Sequence, residues 1–364
     1  MSAEAIKHLG GSVTPMPSSA THQKANRACP SNSHAAQSEL EELCEQLRAL
    51  PELAAKKAIS VAATLSDQGL SLNERYSLPG DDAAAFKTAN GYQLLAMEGM
   101  LPEFVRRDPR AAGWSSVMAN VSDIAAMGGR ASAIVNAYWH QDDDSSRELL
   151  YHIKRACDVF GVTFAGGHSN ISPNNTPGLA VAIIGHANRL LSCHHVKPGQ
   201  RLFMLTDLTG SWHGDLPYWG CVQGKSPEQI RQQWQIPAEL ADAELCVAAK
   251  DISNGGLFGT LIMLLELTGC GAVVDLNAIK KPAGDLLRWL KAFQSFGFLL
   301  CVEPDKSCEM MRFFNHSHLT CVPIGDINNT GKIQLNQAGL IADFWDLSQQ
   351  SLTELGASHA VSHL

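Results

Sequence analysis

Several carboxylates in this chain stand where a carboxylate needs a reason. Asp81 and Asp82 follow a Pro-Gly turn in "LPGDDAAAF", Glu98 lies in the mostly apolar "LLAMEGM", and Asp123 shares the nearly apolar "ANVSDIAAMGG" with Asn120. Adjacent carboxylates repel, and burying them without a counter-charge is costly. A divalent cation with oxygen ligands relieves that cost, and Mg²⁺ typically binds through a few carboxylates plus substrate phosphates. "AGGHSN" puts Gly166, Gly167 and His168 directly after a strand pattern. Glycines there let backbone N–H groups approach phosphate oxygens. Each piece alone has an ordinary reading: "GDD" is a common turn, and Glu98 fits the solvent face of a strand. The chemistry rests on the set.

The elements that must position these residues follow from periodicity. At roughly 100° per residue, Ser116, Asn120, Asp123 and Met127 fall on one side of a helix, and Trp114, Val117, Val121 and Ile124 on the other. The polar row is either a solvated face ending at Gly128 and Gly129 or a row facing an internal site. It carries no Lys, Arg or Glu, which is unusual for a surface in water. Around this helix (109–127), "YQLLAMEGM" and "ASAIVNAYW" read as strands. "SSRELLYHIKRACDVFG" reads as a helix capped by Ser146 and stopped by Gly161. "VTFAGG" and "GLAVAIIGHA" read as two further strands, joined by the polar loop "HSNISPNNTP".

Upstream, residues 1–38 lack an apolar period and read as a disordered tail, and residues 38–69 read as two helical segments with Pro51 in a first turn. Near residue 190 a Pro-Gly turn opens a new unit. It continues through a polar loop, a helix at 238–250, the loop "DISNGG", a helix at 257–268, the strand "GAVVDL", the helix "PAGDLLRWLKAF", the strand "GFLLCVE", and the closing pieces "LTCVPIGDI" and "GKIQLN". Strands and helices without strict alternation predict an α+β protein. The expected division is a tail (1–38), an N-terminal domain (39–189), a C-terminal domain (190–345) and a peripheral tail (346–364).

At 364 residues with 45% hydrophobic content, two globular domains are the natural expectation. A formal net charge of −8 without a Lys/Arg run argues against nucleic acid or an anionic membrane as partner. No apolar run reaches the length of a bilayer span, and no apolar leader opens the chain. The cysteines are scattered without a CxxC pair. These features predict a reduced, cytoplasmic protein without a cysteine metal site. The scattered histidines His140, His186, His194, His195 and His213 read as surface residues.

Taken in order, the motifs resemble the aminoimidazole ribonucleotide (AIR) synthetase superfamily. Its members include formylglycinamidine ribonucleotide synthetase, thiamine-monophosphate kinase, selenophosphate synthetase and the hydrogenase-maturation carbamoyl dehydratase. The matching pieces are "GDDAA" (80–84), "DP" (108–109), "NVSDIAAMGG" (120–129), "GGHS" (166–169), "GLAVAIIG" (178–185), "KPGQRLFMLT" (197–206), "DISNGGL" (251–257) and "IGDI" (324–327). The subfamily most similar is that of the AIR synthase-related proteins.

The resemblance implies a two-domain, PurM-like α+β architecture. Its N-terminal sheets would join into a barrel across a homodimer, and its C-terminal domain would be an α+β sandwich. It also implies ATP-dependent, Mg²⁺-dependent phosphoryl transfer to a small molecule through a phosphorylated intermediate. By motif position, Asp81, Asp82, Glu98 and Asp123 would hold metal. Asn120, Gly166, Gly167, Asp251, Asn254 and Gly255 would bind ATP or its phosphates, and His168 and Asp123 would be catalytic. Glu98 stands where many relatives carry Asp, and His168 where the thiamine-monophosphate kinase type has "GGDT". "GGHS" is closer to selenophosphate synthetase (selenide, water dikinase), the alternative activity. That enzyme's N-terminal Cys and Lys loop has no counterpart at Cys29 or Cys44. A nucleotide-binding partner protein without turnover is the reading from another class.

Overall fold

The computed structural model describes residues 30–63 and 79–355. The N-terminal part runs α1 (Pro30–Arg48), α2 (Pro51–Lys56), α3 (Ser60–Ala63), β1 (Ala84–Thr88), β2 (Gly91–Met100), α4 (Pro102–Arg107), α5 (Pro109–Ala126), β3 (Arg130–His140), α6 (Asp143–Phe160), β4 (Thr163–Ile171) and β5 (Gly178–Ala187). The C-terminal part begins with β6 (Arg201–Thr206), β7 (Ser211–Trp212), β8 (Tyr218–Gly220), α7 (Pro227–Asp242), β9 (Ala248–Asp251), α8 (Gly256–Glu266) and β10 (Gly271–Asp275). It ends with α9 (Leu286–Leu290), β11 (Phe293–Gln294), β12 (Gly297–Val302), α10 (Ser307–Phe313), β13 (Thr320–Asn328), β14 (Lys332–Gln337) and β15 (Leu340–Asp346).

The first five strands form an open sheet in the order β1-β2-β5-β3-β4, antiparallel except for the β3/β4 pair. Strand alternation sends Leu94, Ala96, Ile134, Val181 and Ile183 to a buried face under α5 and α6. The opposite face carries Phe86, Leu95, Met97, Val135, Trp139 and Ile184, each 40% to 70% exposed. Among the described residues of one chain this sheet closes into no barrel.

A seven-stranded sheet, β15-β14-β10-β13-β6-β12-β9, builds the second part, beside a small sheet β11-β8-β7. Both faces of its central strands are buried. Phe203, Leu205, Phe298 and Leu300 join the core that contains Val121 and Ala125 of α5, whereas Leu202, Met204, Leu299 and Cys301 join the core of α8. The helix layer of α5, α6 and α7 therefore lies between the two sheets. That sandwiching explains why α5 is buried all round, and why its polar row faces an interior rather than water.

Several expectations are corrected. Helix α1 begins at Pro30, inside the stretch read as a tail, while residues 1–29 lie outside the described residues. Leu40, Cys44, Leu47 and Leu53 of α1 and α2 pack into the C-terminal core, with α1 against β15. The helix expected at 238–250 occupies 227–242 instead, started by a Ser226–Gln229 capping box, and 248–251 is a strand. Asp142, not Ser146, caps α6, accepting from Ser145 N at 2.7 Å. Strand β4 runs on through His168 to Ile171 where a loop was expected. Beyond residue 345, Leu352 and Thr353 are buried, and Glu266 accepts from their backbone N–H groups at 2.8 and 3.0 Å, so that segment belongs to the core. The helical pattern over 64–69 lies outside the described residues.

Candidate active site

Helix α5 starts where Asp108 accepts a hydrogen bond from Ala111 N at 2.9 Å, with Pro109 in the first turn. Gly113 lets it approach α6 closely, since a Cβ there would sit 2.6 Å from Leu149 O. The helix thus delivers Asn120 and Asp123 between the sheets, both buried. Asn120 donates from Nδ2 to Ser116 O at 2.7 Å, and its Oδ1 has no hydrogen-bond partner. A buried, unpaired acceptor is costly unless a ligand or water completes it.

Asp123 meets Asp82 and Asp251, with one carboxylate oxygen of each lying within 4.8 Å of the others. Asp251 ends β9, which alternates Ala249 and Asp251 toward the α5 side. Its N–H donates to Asp82 Oδ2 at 3.3 Å. Gly80, at φ +114°, makes the turn that presents Asp82. Glu98, on the helix-covered face of β2, adds a further charge: it raises the carboxyls of Asp123 and Asp251. Burial pushes Asp123 well above the usual carboxylate range, and the neighbouring charges of Asp251, Glu98 and Asp82 add to it. Burial likewise pushes Asp251 up to about 7, reinforced by Asp82, and raises Glu98, again reinforced by Asp82. Carboxylates that oppose one another's ionisation in a buried, all-oxygen set fit a hard divalent cation.

Asp81 is turned elsewhere. It accepts from Ser192 Oγ at 2.6 Å and from Cys193 N at 2.7 Å, tying the Gly80 turn to the segment that opens the second unit. Burial raises its carboxyl, partly offset by those bonds.

Two lysines complete the cluster, and neither was read from the sequence. Lys250 is buried and donates to Asp82 Oδ1 and, at 3.0 Å, to Gly80 O. Burial works against its charge, but Asp82 and its neighbours outweigh that and raise its pKa. Lys56 of α2 lays its stem over Gly255, whose Cβ would sit 3.3 Å from Lys56 Cε. Burial and the nearby Lys250 charge lower its pKa, while Asp251, Asp82 and Glu98 oppose the shift. Gly255 and Gly256, at φ +88° and +62°, start α8. A Cβ on Gly256 would collide with Leu290 O. Asn254 stands exposed at the same helix start. Free N–H groups of a first helical turn favour anions.

The remaining expected residues lie apart from the carboxylates. His168 is paired in register through Ala137 and Ala180 to Gly99, across the sheet. Three strand spacings put it roughly 14 Å from β2, exposed on edge strand β4. Its register also puts it on the face opposite Glu98. Gly166, at φ +115°, forms a bulge in β4. Gly167 packs against Asn136, whose O and Oδ1 would both clash with a Cβ. Asn136 is buried with its Nδ2 unpaired, on the register row that links Glu98 to Gly167.

Residues 80–187 match the family described as AIR synthase related protein, N-terminal domain, and residues 205–336 match its C-terminal domain. The chain belongs to the AIR synthase-related family. An uncharacterized protein of Synechocystis sp. is 38% identical over 82% of this chain and 93% of its own length. The selenide, water dikinase of Yersinia pseudotuberculosis is 25% identical over 68% of this chain and 82% of its own. Among solved structures, T. maritima PurL complexed with ATP superposes with a TM-score of 0.62 at 17% identity, covering 81% of this chain and 52% of that one. AaThiL complexed with AMPPCP and TMP gives a TM-score of 0.54 at 17% identity, covering 77% and 91%. The chain spans about half the length of the PurL chains it matches. The matches confirm the AIR synthetase resemblance and the two-part α+β fold. Among the described residues, no helix is long and apolar enough to cross a membrane.

Proposed function

We propose that this AIR synthase-related protein is an ATP-dependent phosphoryl-transfer enzyme acting on a small molecule through a phosphorylated intermediate. The observation that carries the reading is the buried junction of Asp82, Asp123 and Asp251, contributed by both halves of the chain. Asp82, Asp123 and Asp251 would hold Mg²⁺, with Glu98 beside them. The ion would neutralise phosphate charge as it develops. Lys56 and the first turn of α8 offer positive potential to phosphate oxygens, and the layer between the sheets excludes water. Asn120 Oδ1 offers an unpaired acceptor to the nucleotide or to a water that orients it. Structural neighbours complexed with ATP and with AMPPCP support the nucleotide assignment. The test is incubation with ATP, Mg²⁺ and a panel of metabolites, scoring ADP, AMP and phosphate. ATP binding without release of any of these under every condition would favour the non-catalytic reading.

A selenide, water dikinase activity is the less favoured assignment. Cys44 is buried under β15, and burial pushes its thiol up to about 11, so it is no nucleophile. Cys29 lies outside the described residues.

The apolar sheet face supports a C2 homodimer in which two N-terminal sheets cover one another. Met97→Glu or Val135→Glu is expected to convert the dimer to a monomer in light scattering, with the fold retained. A wild-type monomer at micromolar concentration would contradict the assembly.

His168 remains a candidate for transfer only through that assembly, because its own chain's carboxylates lie across the sheet. His168→Ala is therefore expected to leave the Mg²⁺-linked affinity for ATP unchanged. A fall in turnover at constant affinity would assign it to the reacting end of the substrate.

A further inference from the structure

Lys250 poses a question the metal reading does not answer. A lysine buried at the heart of a divalent-cation site looks self-defeating, since it carries the same sign of charge as the ion. The charges decide how it fits. Asp82, Glu98, Asp123 and Asp251 bring four negative charges when ionised, and Lys56 and Lys250 bring two positive ones. The imbalance is two negative charges, the charge of a single divalent ion. Asp81, the neighbour of Asp82 in the chain, is occupied by the Ser192 hydroxyl and the Cys193 N–H. Lys250 reaches Asp82 from β9, one residue before Asp251, and is anchored by Gly80 O as well. Both bonds fall on the turn that supplies Asp82, so the ammonium ties the N-terminal turn to the C-terminal strand.

We propose that Lys250 is a tethered cation that holds the carboxylate cluster assembled in the metal-free protein, limits the cluster to one divalent ion, and shares Asp82 with that ion when it binds. This rests on the reading that these carboxylates bind a divalent cation. Without Lys250, Asp82 would be a buried carboxylate lacking its partner, which is among the more damaging losses a core can suffer. Lys56 alone would then face the charges of Asp82, Asp251 and Glu98, too little to balance them, so folding itself should become dependent on a divalent ion.

The test uses the full chain, stripped with EDTA, and Mn²⁺ and Mg²⁺ as probes. Lys250→Met keeps the stem and removes the ammonium. It is expected to lower the melting temperature in EDTA by on the order of 5–10 °C relative to wild type. Millimolar Mg²⁺ should recover most of that loss, whereas it should shift wild type much less. Calorimetric titration with Mn²⁺ should show roughly tenfold tighter binding to Lys250→Met, as expected when a competing positive charge is removed. An equal melting temperature for both proteins in EDTA, or an equal response of both to Mg²⁺, overturns the proposal. Should Lys250→Met not fold, the double variant Asp82→Asn/Lys250→Met removes both charges and is expected to fold in EDTA with a weakened Mn²⁺ affinity. Full wild-type Mn²⁺ affinity in that double variant also overturns it. The two readings fail differently: wild type that takes up no Mn²⁺ ends the metal site altogether, while wild type that binds Mn²⁺ beside an indifferent Lys250→Met ends this inference alone.

Discussion

Asp123→Asn is expected to abolish most of the Mg²⁺-dependent part of the thermal stabilisation that ATP gives, while the fold survives. The amide keeps the volume of the side chain and removes only its charge. Burial and the charges of Asp251, Glu98 and Asp82 already oppose ionisation of Asp123 in the metal-free chain. The variant should therefore melt in EDTA at or slightly above the wild-type temperature. A ligand present at a hundred times its dissociation constant stabilises by about 2.7 kcal/mol, a shift on the order of 5 °C for a chain of this size. In wild type that shift should be larger with Mg²⁺ than with EDTA, and in Asp123→Asn the two should converge. Equal shifts in wild type under both conditions would show that the carboxylates do not act through a metal. A variant that kept the whole Mg²⁺ increment would remove Asp123 from the site.

What could be read from the chain beforehand depended on whether local pattern or tertiary placement decided the matter. Helix α5 announced itself, because Asp108-Pro109 is a start and Gly128 a stop whatever surrounds them. Asp123 was legible for the same reason: a charge in an apolar helix contradicts its own neighbourhood. Asp251 entered only through the "DISNGG" motif, and Lys250 was missed. Strand β9 is four residues long and buried on both faces, so it has no polar alternation to mark it, and "CVAAKD" continues a helical pattern as readily. The overlooked signal was a lysine after two alanines and directly before an aspartate. Helices α1 and α2 were recognisable as helices, but nothing local said that α1 would pack on β15 or that α2 would bring Lys56 to the carboxylates. His168 looked like a loop residue because "HSNISPNNTP" is polar. It is polar because β4 is an edge strand facing solvent. Asn136 hid in the alternation of β3, where one buried amide among apolar residues resembles a strand's ordinary variation.

The metal-free protein is also expected to lose stability between about pH 4 and about pH 7 through Asp251, with Mg²⁺ reversing the trend. The unfolded carboxyl titrates near 3.8, and in the folded protein burial, then the Asp82 charge, push it up to about 7. A raised carboxyl means that folding favours the protonated form. Its stabilising contribution is fully present below the unfolded pKa and is lost as pH rises through the folded one. The difference corresponds to at most about 4 kcal/mol between the two ends of the window. Asp123 and Glu98, raised by the same causes, act in the same direction. Lys56, whose pKa burial and Lys250 lower, acts the other way between its lowered value and 10.5. Other carboxylates elsewhere also titrate near the lower limit, so the informative quantity is the difference between wild type and Asp251→Asn. In EDTA that difference in melting temperature should fall from about pH 4 to about pH 7, as wild type alone acquires the opposed charge. With saturating Mg²⁺ the sign should invert, because the ion requires the ionised carboxylate and competes with the proton for the same oxygens. A difference that stays flat with pH in EDTA would mean that Asp251 is ionised throughout, with Lys250 and Lys56 supplying all the compensation it needs. A slope that persists unchanged in Mg²⁺ would mean that Asp251 titrates without meeting the metal, and would leave Asp82 and Asp123 to hold it without the C-terminal half.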